Sequence, residues 1–165
     1  MKLLFSMLFV ALFIISPDLS KVRVDYRNAV HNKENTIKLH KELAVVDKSD
    51  SKVLVAYKGA VSTLMSKFAM TTSERKVFFK EGATLIEFAV LERPESIEIR
   101  CIRLGVQENA PKVVKYRKSK TEDKQFILDH YNEISSGKIK EYIKEFVMQS
   151  KSFSEEEKKM IASKD

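Results

Sequence analysis

TTSERKVFFKEGATLIEFAVLERPESIEIRCIRLG, spanning Thr71–Gly105, holds a helix start, a helix stop and a second helix in one stretch. Thr71-Thr72-Ser73-Glu74 has the spacing of a capping box, in which the threonine oxygen accepts an orphan amide and the glutamate reaches back to the cap. Phe78, Gly82, Leu85, Ile86 and Ala89 then recur at three- and four-residue steps, predicting a helix to about Glu92. Pro94 stops it, because proline drives the preceding residue out of the helical region. In the next helix, over Glu95 to about Gln107, Ile97, Cys101 and Leu104 share one face, with Ile99, Ile102 and Val106 beside them. Apolar residues around so much of the circumference predict a helix packed on two sides.

The same period continues in both directions. Upstream, Leu54, Tyr57, Ala60, Val61, Leu64, Met65 and Phe68 predict a helix over Lys52–Ala69. Gly59 in its middle costs about 1 kcal/mol against alanine, a loss that close approach of a neighbouring helix recovers. Before it, Tyr26, Ala29, Val30, Ile37 and Ala44 predict one long helix from Val24 to Val46. Downstream, Asn109-Ala110-Pro111 breaks the pattern, and Val113, Val114 and Tyr116 suit a short strand or a packed loop. A second capping box, Ser119–Glu122, precedes a helix with Phe126, Ile127, His130, Tyr131 and Ile134. After Ser135-Ser136-Gly137, Ile139, Tyr142, Ile143, Phe146 and Val147 form the clearest amphipathic stripe, and Ser154–Glu157 caps a last short helix. The expected class is all-α: antiparallel helical hairpins, six to seven helices in all.

Composition narrows the function classes. The chain has 165 residues, 44% of them hydrophobic, with four glycines and three prolines, which suits a folded core and excludes collagen-like and linker-rich chains. One cysteine, Cys101, excludes a disulfide scaffold. Lys2 followed by LLFSMLFVALFII (Leu3–Ile15) has the form of an export signal. The run is too short for the roughly 20 apolar residues of a membrane-spanning helix, and Pro17 and Asp18 interrupt it. Residues 1–20 are therefore expected to be a signal, with Ser16 and Ser20 as small residues near the cut and residues 21–165 as a single helical domain. No transmembrane span is expected after cleavage, and the location is periplasmic or extracellular in a bacterium.

AVLERPESIEIRCIRLG (Ala89–Gly105) resembles the end of one tetratricopeptide-type repeat and the first helix of the next. Ala89 precedes Pro94 by the interval of that family, Gly82 falls where it has a small residue and Phe79 where it has a large apolar one. Arg100 and Arg103 stand where an aromatic residue and a leucine are usual, and Gly105 falls one place late. The resemblance covers about Phe79–Gly105 and implies a stack of helical pairs, often with a peptide or protein partner, without fixing any binding residue. An irregular bundle is the alternative architecture. The chain is also similar in arrangement to small exported proteins of Bacteroidetes-type bacteria.

Chemistry-bearing patterns are sparse. HExxH, GxSxG and GxxxxGK[ST] spacings are absent, and His31, His40 and His130 lie too far apart to suggest a metal, so no metal or cofactor is expected. Cys101 is expected to be an inert buried thiol. The enzyme alternative is a small hydrolase-type activity pairing His130 with Cys101 or a carboxylate. The favoured expectation is a non-catalytic module that binds a protein or peptide, with Tyr57, Phe79 and Tyr131 as candidate groove walls; a helical domain without a selective ligand is the third reading. Net charge is +7, and Lys112, Lys115, Arg117, Lys118 and Lys120 concentrate positive charge in one segment. That segment is either a solvated loop or a patch for an anionic partner: an acidic protein, a lipid surface contacted peripherally, or a cell-envelope polymer. An exported address argues against nucleic acid.

Overall fold

The computed structural model describes residues 16–163. The apolar run Leu3–Ile15, on which the export signal was read, lies outside the described residues. Eight α-helices make up the described chain, with no strand: α1 Leu19–Ala29, α2 Lys33–Glu42, α3 Lys52–Phe68, α4 Thr72–Glu92, α5 Ile97–Asn109, α6 Lys120–His130, α7 Gly137–Gln149 and α8 Glu155–Ala162. The all-α expectation holds. The single helix expected over Val24–Val46 instead divides into α1, α2 and a 3₁₀ turn at Leu43–Val45. Asn32 causes the division: its extended backbone ends one helix, and its side-chain oxygen accepts from Asn35 N at 2.8 Å to cap the next. Thr36 seals the joint by donating its buried hydroxyl to Ala29 O at 2.8 Å.

The helix starts read from capping boxes divide two to one. Thr71/Glu74 and Ser154/Glu157 form complete boxes. Ser119 makes no side-chain cap, because its backbone (φ −97°, ψ 8°) is not in the extended conformation of an N-cap, and Glu122 is turned toward Arg100 and Arg103 instead of back to the cap. Asp18 caps α1 by accepting from Lys21 N at 2.8 Å, and Leu19 packs against the core. A cut after Ser20 would remove both residues; a cut after Ser16 would keep them.

Gly59 and Gly82 decide how the central pair packs. A methyl group on Gly59 would lie 2.6 Å from Gly82 O and 2.9 Å from Ile86 Cγ1, and one on Gly82 would run into Gly59 O and lie 2.7 Å from Thr63 Cγ2. Residue numbers fall along α4 as they rise along α3, so the two run antiparallel with their backbones in contact. Ala60, Val61, Ile86 and Ala89, all buried, fill the sides of this contact. The close approach expected from Gly59 is thus made by a second glycine.

Two apolar clusters share one helix. The first joins α1–α5 around Tyr57, Leu39, Val61, Ile86 and Ile99; the second joins α5–α8 around Leu104, Ile127, Ile143, Val147 and Ile161. Nine of the thirteen residues of α5 are buried, which makes it the wall between the clusters and bears out the expectation of packing on two sides.

Gly82→Ala should destabilise by about 1–3 kcal/mol or more, since its clash is with backbone and the helices must separate. Gly137→Ala, with no atom within 4 Å of the added methyl, should be neutral or mildly stabilising. Urea midpoints of the two variants against the parent check both.

Candidate ligand cavity between three helix ends

A cavity of about 620 Å³ opens where the end of α3, the start of α4 and the end of α5 meet the segment Pro111–Val114. Its apolar walls include Leu64, Phe79, Val106, Val113 and Val114, with Val30 from the end of α1. Leu64 and Val106 point inward because they continue the buried stripes of α3 and α5. Pro111 ends α5, and a short 3₁₀ turn at Lys112–Val114 lays two valines across the opening. Lys115 closes that turn in the left-handed region, φ 51°. Arg117 fixes the segment by donating from Nε to Ala110 O at 3.1 Å, with a second contact from Nη2 to the same oxygen.

The electrostatics of the cavity are one-sided. Lys67, Arg75 and Lys76 line it, and no acidic residue does. Neither lysine meets an acidic side chain among the described residues. Arg75 donates its Nε to Ala69 O at 3.0 Å, which leaves its terminal nitrogens for another acceptor. The Lys67 ammonium is held below the ordinary lysine value by desolvation. A cation in that setting favours an anion brought to it.

Of the residues expected to wall a groove, only Phe79 does so. Tyr57 and Tyr131 are fully buried. Tyr57 is held there by its hydroxyl, which donates to Glu98 Oε1 at 2.9 Å and lies 2.9 Å from the Tyr142 hydroxyl. Glu98 also receives Arg23 through two bonds of 2.7 and 2.8 Å, so the polar tip of Tyr57 ends in a satisfied internal network. Tyr131 lies in the second core beneath the Lys140 ammonium, 5.4 Å from its ring centre. In the basic segment, Lys112, Lys115 and Lys118 are exposed and have no acidic partner among the described residues. Lys120 belongs to the first turn of α6, and Arg117 donates to Ala110 O.

The residues weighed for catalysis lie in different settings. Cys101 is a free, buried thiol, and burial, helped by the negative charges of Glu98 and Asp123, pushes its pKa well above the ordinary value. That suppresses the thiolate needed for attack. His130 stacks on Phe126 with ring centres 4.0 Å apart, and its Nδ1 lies 2.9 Å from Phe126 O. His40 packs edge-on against Phe78, with desolvation lowering its pKa. Among the described residues no group of three or more His, Cys, Asp and Glu side chains is arranged to hold a metal ion.

The densest charge cluster is structural. Arg100 and Arg103 point inward on α5, and fully buried Asp123 accepts from Arg100 Nη1 at 3.0 Å and from Arg103 Nε and Nη2 at 2.7 and 2.6 Å. Glu122 and Glu87 complete the cluster at its edge, and Tyr116 donates to Glu87 at 2.6 Å. The Arg100 guanidinium beside Glu122 holds that carboxyl below the usual range. Its contribution is therefore present at neutral pH and lost only as pH falls through the lowered value.

No protein-family model, curated protein or solved structure matches the chain. The tetratricopeptide resemblance accordingly rests on Phe79–Gly105 alone. No helix among the described residues is long and apolar enough to cross a membrane.

Asp123→Ala should cost about 3–5 kcal/mol, because two buried guanidinium groups lose their common counter-ion. Glu122→Gln, at an exposed rim position, should cost under about 1 kcal/mol. Thermal unfolding of both variants at neutral pH measures the difference.

Proposed function

We propose that the protein is a non-catalytic binding module whose working site is the cavity between α3, α4 and α5. A single observation carries the reading: buried Leu64, Phe79 and Val106 and the more exposed pair Val113–Val114 wall the volume, and Lys67, Arg75 and Lys76 rim it with no acidic residue in its lining. A site of this size suits one ligand of small-molecule dimensions. Apolar walls supply the affinity and the cations select negative charge. With residues 1–20 read as an export signal, the module acts in the periplasm or outside the cell.

A polypeptide partner has its own support in an adjoining furrow. Phe79, Lys76 and Val114 line both the cavity and a shallower groove that continues along α4 past Lys80, Ala83 and Thr84 to Glu87, whose carboxylate is already taken by Arg103 and Tyr116. The exposed Lys112, Lys115 and Lys118 stand on the segment that borders it. An acidic, partly apolar polypeptide is the partner that such a border fits.

An anionic apolar dye, anilinonaphthalene sulfonate, tests the cavity itself. It should bind the folded protein with a blue shift and saturate at one site. Ser66→Phe, which projects a ring into the volume from a half-buried lining position, should weaken binding by about tenfold or more at unchanged helicity, a loss of roughly 1.4 kcal/mol. Undiminished dye binding by that variant would rule the cavity out. Neutralising Lys112, Lys115 and Lys118 together, with Arg117 kept, should leave dye binding intact.

A further inference from the structure

Three of the polar side chains that line the cavity, Thr63, Ser66 and Asn109, already donate to backbone carbonyls. Thr63 donates its hydroxyl to Ala60 O at 2.7 Å, Ser66 to Thr63 O at 2.6 Å, and Asn109 donates its amide to Gly105 O at 2.8 Å. The Ala110 carbonyl is taken by Arg117. Peptide groups laid against Leu64, Phe79 and Val106 would meet no hydrogen-bonding side chain on those walls, at a cost of several kcal/mol each on transfer scales. An alkyl chain brings none.

The charge is confined to one corner. Lys67 ends α3, and Arg75 and Lys76 lie in the first turns of α4, so the three cations gather around the turn that joins those helices. Phe79 lies a turn further along α4, and Leu64, Val106, Val113 and Val114 belong to the apolar part. Arg75, with its Nε already committed, keeps the planar face of paired nitrogens that a carboxylate matches.

Resting on the binding reading above, we infer that the ligand is a free fatty acid, its carboxylate held among Lys67, Arg75 and Lys76 and its single chain lying between Phe79, Leu64 and Val106. One chain matches a cavity that has a single charged corner.

Competition against bound anilinonaphthalene sulfonate, checked by direct calorimetric titration, tests the assignment on the full helical domain. Decanoate below its micelle concentration should displace the dye. Decanol, with the same chain and no charge, should bind at least about tenfold more weakly, and an acetylated, amidated peptide of alternating glutamate and leucine should not displace the dye. The double variant Lys67→Gln/Arg75→Gln should bring decanoate down to the level of decanol while leaving decanol unchanged. Equal binding of decanoate and decanol would overturn the carboxylate assignment, and displacement by the peptide alone would assign the site to polypeptide. Dye that binds yet resists decanoate sinks the fatty-acid inference and leaves the binding module standing. Dye that never binds removes both.

Discussion

Gly59 and Gly82 in backbone contact set the distance between α3 and α4, and the cavity depends on that distance. Thr63 touches Gly82 on one side and lines the cavity on the other, so the wall begins where the glycine contact ends. Had either position carried a side chain, the helices would stand further apart, and Leu64 and Phe79 would no longer face a shared volume. A glycine in mid-helix costs conformational entropy. Here two such losses place two backbones in direct contact, with Ile86 and Leu85 packed over the joint.

Against this tight pair, α5 presents charge as well as apolar surface. Arg100 and Arg103 face inward only because Asp123 lies where it can accept from both. A buried ion cluster adds little net stability over a hydrophobic replacement, yet one member removed leaves charge without a partner. Its effect is on placement. Asp123 ties α6 to α5 through both arginines, beside the second core around Leu104, Ile127 and Ile143.

Much of this was legible from residue spacing alone. The limits of α3, α4, α5, α7 and α8 follow from periodicity, Pro94 and two working capping boxes. Asn32 hid the break between α1 and α2, because apolar positions on either side of it kept a helical interval across the joint. Ser119–Glu122 matches the capping pattern and fails as a cap, since the Ser119 backbone is not extended and a carboxylate drawn to two guanidinium groups is not free to turn back to an amide. The tyrosines expected at a groove went to the interior. Tyr57 could do so because Glu98 accepts a hydrogen bond from its hydroxyl and Arg23 balances Glu98, a partnership between residues distant in the chain. The cavity was the least visible feature. Leu64 and Val106 were read as core, and Lys67, Arg75 and Lys76 resemble any surface cations until three helix ends meet. A local sign existed in the Ala110-Pro111 stop followed by Val113-Val114, an apolar pair with no helix to bury it.

The hairpin of α3 and α4 has a further meaning in time. Its two glycines approach across a turn of only a few residues, Ala69–Thr71, so the entropy lost in closing it is small. The contact of Arg27 with Glu145 closes 118 residues at once. Contacts between distant segments are rewarded only after that closure has been met. The order of assembly follows: the glycine hairpin first, then α5 against it, and last the docking of α7 onto α1. In a chevron plot, Gly82→Ala should therefore slow refolding, whereas Glu145→Gln should act mainly on the rate of unfolding.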